Sequence, residues 1–419
     1  MKISDLYKLF LKYPKVSTDS RKKNKNCIFF SLSGPNFNGN KFAIKALKNG
    51  ASYAIVSDKN YALNNKYIVV ENTLKTLQDL AKFHRKKLKI PFIAITGTNG
   101  KTTSKELIYK CLQKKLSTGY TKGNLNNHIG VPLTILTITK EHEIAVIEMG
   151  ANHPGEIKKL CEITQPNYGV ITNIGLAHLE GFKSLEGVQR AKKELYDYIK
   201  LSNGSIFINN EDKFLNTIST DIKRISYGTS GDFSGNIESS TPFININYKN
   251  SKIKSNLSGN YQFYNIMLSI CIAEYFKIKK NDIIKAISEY TPSNNRSQII
   301  KTTNNKILLD AYNANPSSMT AAINSFASDE ISNKVLIIGD MFELGDHSTE
   351  EHKKIIDLTI RTKIKSFFIG SNFKNHNTKN SYETIEKFIE TIKEKPITDC
   401  FIFMKGSRGI ALEKLVKYL

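Results

Sequence analysis

Short apolar, β-branched runs alternate along this chain with stretches of helical periodicity, the pattern of an α/β protein. Runs of strand length lie at residues 51–56, 67–70, 92–96, 144–149, 168–173, 307–311, 335–339, 366–369 and 400–404. Helical spacing predicts helices over residues 74–87, 101–114, 185–200 and 261–276, with another after Pro316. One more is expected to open at Ser348-Thr349-Glu350-Glu351, which has capping-box spacing. After the apolar Ile206-Phe207-Ile208, residues 224–257 read as a β-meander. With 419 residues the chain is too long for one core. The pattern divides into three blocks, 1–89, 90–295 and 296–419.

The stretch richest in chemistry is Thr96-Gly97-Thr98-Asn99-Gly100-Lys101-Thr102-Thr103, between a buried-type strand and a helix. Its glycines allow a tight turn that aims N–H groups at phosphate oxygens, and the helix N-terminus adds partial positive charge. Lys101 can reach the β- and γ-phosphates, and the Thr102 hydroxyl can ligate Mg²⁺. Ile95 stands where a strict GxxxxGK[ST] loop has its first glycine. Such a loop by itself does not separate ligases from GTPases or motor ATPases.

Composition narrows the choice. Hydrophobic residues make up 40% and charged residues 24%, as in ordinary globular proteins. No apolar run reaches the ~18–20 residues of a membrane helix, and residues 1–13 lack a secretory pattern. The five cysteines, Cys27, Cys111, Cys161, Cys271 and Cys400, are scattered without a CxxC pair, so a reducing, cytoplasmic setting is expected. A formal net charge of +23 raises nucleic-acid binding as a function class. Its densest clusters, Arg21-Lys22-Lys23 with Lys25 and His84-Arg85-Lys86-Lys87 with Lys89, are short, and the remaining basic residues are spread out. No nucleic-acid partner is expected.

Three further positions carry candidate chemistry. Glu148, in Ile147-Glu148-Met149-Gly150-Ala151-Asn152-His153, ends an apolar strand and suits Mg²⁺ or a nucleophile beside a phosphate loop. It also reads as an ordinary strand-end acid. His178, in Thr172-Asn173-Ile174-Gly175-Leu176-Ala177-His178-Leu179-Glu180-Gly181, is either a metal ligand or a hydrogen-bonded histidine. Lys192, in Ala191-Lys192-Lys193-Glu194-Leu195, would ordinarily be a solvated helix lysine.

Taken in order, GTNGKTT, IEMGANHPGEI, TNIGLAHLEGF and AKKEL resemble the Mur ligases of peptidoglycan synthesis, and the resemblance covers nearly the whole chain. It implies an α/β fold of three domains: a UDP-sugar-binding domain at 1–89, a central P-loop-type mononucleotide-binding domain with a mixed sheet at 90–295, and a Rossmann-like ligase domain at 296–419. It implies ATP and Mg²⁺ as cofactors, with Gly97, Thr98, Asn99, Gly100, Lys101, Thr102 and Thr103 on the phosphates. Metal ligation falls to Thr102, Glu148, His178 and a CO₂-derived carbamate on Lys192. An ordinary lysine, with pKa ~10.4, is only about 0.1% neutral at pH 7, so carbamylation requires a pocket that lowers it.

Ser17, Thr18, Asp19, Ser20, Arg21 and Gly34 are similar to the family's UDP-sugar site, although Asn38-Gly39-Asn40 replaces a frequent Asp-Gly-His. In the third block, Asp310-Ala311-Tyr312-Asn313-Ala314-Asn315-Pro316-Ser317-Ser318 is similar to the DxYNANPxS of the member that adds D-alanyl-D-alanine, and Asn315-Pro316 also reads as an N-cap and N1 pair. Asn295-Arg296-Ser297, Gly339-Asp340-Met341-Phe342-Glu343-Leu344-Gly345 and Lys405-Gly406-Ser407-Arg408-Gly409 fit the same member. Asp310, Asn313 and Asn265 are thereby expected on ATP, the last despite Tyr261 and Gln262 where the family often has His and Asn. Asn315, Lys405 and Arg408 are expected at the D-alanyl-D-alanine side or in closure, and Arg296 in catalysis. The implied reaction joins D-alanyl-D-alanine to the terminal carboxylate of UDP-N-acetylmuramoyl-tripeptide through an acyl phosphate, in a monomer. A ligase for a different amino acid, a nucleotide-dependent regulator and a basic nucleic-acid binder are the alternatives.

Overall fold

The computed structural model describes residues 1–293 and 295–419, arranged on three sheets. The first is a four-stranded parallel sheet in the order β1 (Lys15–Ser17), β2 (Cys27–Phe30), β3 (Tyr53–Val56), β4 (Tyr67–Val69). β2 is buried along its whole length, so both of its faces are covered.

The second sheet contains β5 (Phe92–Thr96), β6 (Thr118–Tyr120), β7 (Ile144–Glu148), β8 (Tyr168–Ile171), β9 (Ser205–Asn209), β10 (Lys223–Gly228), β11 (Phe233–Ser239), β12 (Asn245–Tyr248) and β13 (Ser251–Lys254). Its order is β13-β12-β11-β10-β9-β8-β5-β7-β6. The expected meander holds only in part. β10 runs parallel to β9 and β11 parallel to β10, and only β11–β13 form antiparallel pairs. Apolar runs predict strands but do not encode direction, which is decided by the path of the intervening loop. β5 lies between β7 and β8, so chain direction across the sheet reverses there. In open α/β sheets the crevice at the carboxyl ends of strands around such a reversal is where ligands bind.

The helix Gln262–Tyr275 is apolar nearly all round and packs against the helix Lys101–Leu112 that follows β5. Helix Thr73–Lys87 joins the first sheet to the second. Its Arg85, counted above in a basic cluster, is buried and donates to the carbonyls of Thr164, Leu88 and Gln165 at 2.7–2.9 Å. The guanidinium lies 3.9 Å from the centre of the Phe92 ring. His84 is buried too, its Nε2 2.7 Å from the Ile138 carbonyl. Two of the five residues of that cluster are therefore internal fastening, and Lys86, Lys87 and Lys89 are exposed.

The third sheet has the order β14 (Gln298–Lys301), β15 (Asn305–Asp310), β19 (Cys400–Lys405), β16 (Lys334–Gly339), β17 (Lys365–Ile369), β18 (Ser381–Tyr382), with β14 antiparallel and the rest parallel. An apolar cluster covers each face. The loops beginning at Asp310, Gly339 and Lys405 all leave the carboxyl ends of the adjacent strands β15, β16 and β19.

Two helix starts differ in outcome. Asn315 caps Pro316–Ser328 through a capping box with Ser318, as its position before proline predicts. Helix Ser348–Thr362 has no such box; a 3₁₀ turn, Gly345–His347, leads into it, His347 takes the cap position, and the Ser348 hydroxyl lies 3.3 Å from His352 Nδ1. The preceding turn has already set Ser348 in helical backbone, from which a side chain no longer reaches the first free amides.

Candidate active site

A cavity of about 960 Å³ opens at the carboxyl ends of β5, β7 and β8 and is closed on its far side by Arg296 and Ser297, just before β14, and by the loop after β15. The turn after β5 forms its floor. Gly97 and Gly100 have φ of 139° and 79°, and Gly100 is the N-cap of the following helix. A Cβ at Gly97 would lie 2.0 Å from Thr172 Oγ1, and one at Gly100 2.5 Å from Asn265 Oδ1, so both turn shape and neighbours demand glycine. The loop is tied to the loop after β8. Thr98 Oγ1 accepts from the Gly175 amide at 3.0 Å, and the Asn99 amide donates to Asn173 Oδ1 at 3.0 Å. Thr103 lines the wall.

Lys101 folds back on its own turn, donating to the carbonyls of Gly97 and Thr98 at 2.7 and 2.9 Å. Burial pushes its pKa down to about 8, opposed by Glu148 and aided by Arg296. A phosphate in the turn would replace two neutral carbonyls with a full negative charge.

Beside it, Glu148 is buried at the end of β7. Its Oε1 accepts from Thr102 Oγ1 at 3.2 Å and Asn126 Nδ2 at 2.7 Å. Its Oε2 is buried without a hydrogen bond, the Lys105 ammonium standing 3.5 Å away. An orphaned carboxylate oxygen next to a threonine hydroxyl and a phosphate turn fits Mg²⁺, which commonly binds through one or two carboxylates plus substrate phosphates. Among the described residues no three His, Cys, Asp or Glu side chains cluster as a ready-made metal cage. Nucleotide oxygens would have to complete such a site.

His178 also lines the cavity, with Nδ1 against Glu343 Oε2 of the loop after β16. Lys192 is 2% exposed and outside the lining, its Nζ 5.5 Å from the centre of the Phe182 ring. Its pKa falls to about 7, first through burial and then through repulsion from Lys101. A lysine neutral to that extent at pH 7 meets the chemical requirement for attack on CO₂.

Across the cavity, the Arg296 guanidinium lies over the Tyr312 ring, 3.7 Å from its centre. Arg408, 5.2 Å from the same ring, is exposed and outside the lining. Asp310 and Lys405 line the cavity as partners: Lys405 Nζ donates to Asp310 Oδ2 at 2.6 Å and to the Asn313 carbonyl at 3.2 Å. Lys405 is therefore not a free cation here. Asn313 Oδ1 accepts from the Ala314 amide at 2.9 Å. Asn315 Nδ2 reaches across to Asn99 Oδ1 at 2.9 Å, so the third sheet's loop holds the phosphate turn directly. Asn265 receives Ser104 Oγ at 3.0 Å and donates to Gln262 Oε1 at 2.7 Å. Gln262 thus anchors Asn265.

The remaining candidates stand apart from this cavity. Ser17 ends β1, Thr18, Asp19, Ser20 and Arg21 follow it, and Gly34 follows the neighbouring β2, at the carboxyl end of the first sheet. Arg21 binds Asp19 through Nε and Nη2 at 2.9 and 3.0 Å, which pulls the Asp19 pKa to about 2. Ser20 accepts at its carbonyl from Asn49 Nδ2 at 2.7 Å. Gly34 has nothing within 4 Å of a built Cβ, so space does not require glycine there. Asn40 is buried and binds Asn38 and Ser57, which makes it a brace of the loop.

Sequence reasoning missed Lys105 and Asn126, and it quoted Tyr312 and Glu343 only within motifs, without a role for either. For Lys105 there was a signal: it lies four residues after Lys101 and three before Ile108, on the buried face of its helix, where a lysine needs a partner.

A phosphate-gripping turn, a buried carboxylate and hydroxyl suited to Mg²⁺, and cations delivered from a separate sheet across one cleft define a nucleotide-dependent group-transfer enzyme. Comparison with known proteins makes the class specific. Residues 95–273 match the Mur ligase middle domain and residues 295–405 match the Mur ligase, glutamate ligase domain. The UDP-N-acetylmuramoyl-tripeptide–D-alanyl-D-alanine ligase of Bacillus subtilis is 35% identical over 424 residues, covering 96% of this chain and 92% of the relative. A crystal structure of MurF from Acinetobacter baumannii superposes with a TM-score of 0.85 at 29% identity, covering 96% of this chain and 92% of that one. MurF from Thermotoga maritima in complex with ADP gives 0.83 at 25% identity, with 97% of both chains covered. This chain belongs to the Mur ligase family.

Proposed function

We propose that the chain is an ATP-dependent amide ligase that joins D-alanyl-D-alanine to the terminal carboxylate of UDP-N-acetylmuramoyl-tripeptide, releasing ADP and phosphate, in peptidoglycan precursor synthesis. The observation that carries this is the contact between Asn315 and Asn99, in which the loop resembling DxYNANPxS meets the phosphate turn inside one cavity. The likeness to UDP-N-acetylmuramoyl-tripeptide–D-alanyl-D-alanine ligases over most of their length supports it.

In this reading Gly97 to Thr103 hold the ATP phosphates, and Lys101 exchanges its carbonyl partners for the β- and γ-oxygens. Asn265, Asp310 and Asn313 line the nucleotide side. Thr102, Glu148, His178 and a carbamate on Lys192 would hold Mg²⁺, which when bound would neutralise phosphate charge. Arg296 adds positive charge where the γ-phosphoryl group moves to the tripeptide carboxylate. The dipeptide amine then attacks the acyl phosphate carbonyl, the C–O bond to phosphate breaks, and the amine proton is lost. Asn315, Lys405 and Arg408 serve the dipeptide side, Lys405 after exchange from Asp310. Most of the acceleration comes from positioning and electrostatics, with closure keeping water from the acyl phosphate. Ser17 to Arg21 and Gly34 take the UDP moiety, and Thr73, adjacent to the cavity-lining Leu74, donates to the Ser31 carbonyl at 3.1 Å and so connects that loop to the main cavity.

The proposed domains are 1–89, 90–295 and 296–419, in a cytoplasmic monomer. No helix among the described residues is long and apolar enough to cross a membrane. The deciding experiment is phosphate release from ATP with UDP-N-acetylmuramoyl-tripeptide, with and without D-alanyl-D-alanine, together with product mass. Release that needs both, with a product heavier by one dipeptide, is expected. Release with a single amino acid instead would reassign the acceptor. A Lys101→Ala protein with full turnover would remove the phosphate-turn assignment. Incorporation of ¹³C-bicarbonate into a carbamate resonance, lost in Lys192→Ala, tests the modified lysine.

A further inference from the structure

The loop at residues 176–183 of the middle region is built into the C-terminal sheet's territory. Leu179 belongs to the apolar cluster on one face of that sheet. The Glu180 amide donates to the Glu343 carbonyl at 3.1 Å, and His347 Nε2 sits 3.2 Å from the Lys183 carbonyl. At the centre of the seam, His178 Nδ1 meets Glu343 Oε2. Both residues are in the left-handed region, with φ of 52° and 63°, which side-chain-bearing residues rarely adopt. Such backbone persists where surrounding structure over-determines it, and it clusters at functional sites. Glu343 thus engages the loop with both its carbonyl and its carboxylate. It is the second of the two acids in the Gly339–Gly345 motif, and the proposed reaction gives it no role.

We propose that Glu343 is a positioning residue whose carboxylate takes the Nδ1 proton of His178 in a hydrogen bond, holding the ring in the tautomer that turns the Nε2 lone pair toward the cleft. A carboxylate can only accept, so the proton of a neutral His178 resides on Nδ1, and Nε2 is left as the coordinating atom. Carboxylates behind ligating histidines fix ring orientation and raise ligand basicity in this way. Because the pair crosses from the middle region to the C-terminal sheet, the ring is held only while the two are docked. The cation site of the cleft is then complete only in the closed enzyme, which ties phosphoryl transfer to the arrangement that excludes water. This rests on the reading of His178 as a cleft-facing ligand.

Two measurements test it. Long-range ¹H–¹⁵N spectra of histidine-labelled protein saturated with ADP, with His178 assigned by its loss in His178→Gln, should show protonated Nδ1 and bare Nε2; the opposite tautomer overturns the proposal and needs no variant of Glu343. In Glu343→Ala, the Mg²⁺ concentration that half-saturates the enhancement of ADP binding in calorimetry should rise 10- to 100-fold, the range for loss of such a partner. Binding of ADP without Mg²⁺ and KM for the tripeptide should hold while kcat falls. A Mg²⁺ midpoint and kcat within twofold of the parent overturn it. If Lys101→Ala abolishes turnover while Glu343→Ala leaves both values intact, the ligase reading stands and the positioning role alone fails.

Discussion

Replacing Lys105 by methionine isolates the interaction that holds Glu148 in place. Lys105 is 0% exposed, its Nζ lies 3.5 Å from Glu148 Oε2, and it donates to the Gly123 carbonyl at 3.1 Å. Two unit charges 3.5 Å apart attract by about 5 kcal/mol at an effective dielectric near 20. Desolvation of both ions offsets much of that, so the pair's net contribution is small. Removing only the lysine forfeits the attraction and leaves the carboxylate buried, with Thr102 and Asn126 both on its other oxygen. A loss of about 3–5 kcal/mol in unfolding free energy is expected. Methionine keeps the stem's volume and makes no void, which confines the effect to charge. Chemical denaturation at neutral pH without Mg²⁺ is the assay, run on Lys105→Met, Glu148→Gln and the double variant. With neither charge stranded, the double variant should recover about 2 kcal/mol or more relative to the sum of the singles. A single-variant loss under about 1 kcal/mol, or additive losses, would refute the reasoning.

Three further outcomes follow from the site. Lys101, with its pKa held near 8 in the free protein, is about half neutral at pH 8, and bound phosphates favour its charged form. ADP binding at pH 8 should take up about half a proton more in the parent than in Lys101→Met, and the difference should vanish near pH 6.5, where Lys101 is already charged; calorimetry in buffers of different ionisation enthalpy reads this, and no difference at pH 8 contradicts it. Gly100→Ala places a Cβ 2.5 Å from Asn265 Oδ1 at a φ of 79°, so a stability loss of about 1–3 kcal/mol and weakened ADP affinity are expected in denaturation and binding assays. Asn315→Ala removes the cap of Pro316–Ser328 and the reach to Asn99, so a loss of about 1 kcal/mol from the cap should accompany a lower kcat with folded secondary structure unchanged by circular dichroism.

What the sequence by itself determined is what neighbours a few residues apart decide. The β5 strand, the turn at Gly97 and Gly100 and the helix beginning at Lys101 follow from local periodicity and from backbone angles open to glycine. Asn315-Pro316 announces a helix start for the same reason. The order of motifs also identified the family, since each keeps its local signature. The tertiary structure alone decided which side chains meet. Nothing near Ser348 shows that a 3₁₀ turn takes over its capping role. Nothing near residue 224 shows that β10 joins a parallel sheet. Asp310 and Lys405, 95 positions apart, neutralise each other because β15 and β19 are adjacent, and His178 and Glu343, 165 positions apart, meet because a loop docks against another sheet. Such pairings depend on the summed packing of whole layers, whereas a turn or a cap depends on a few backbone angles, so the phosphate turn could be read from residues and the electrostatics around it could not.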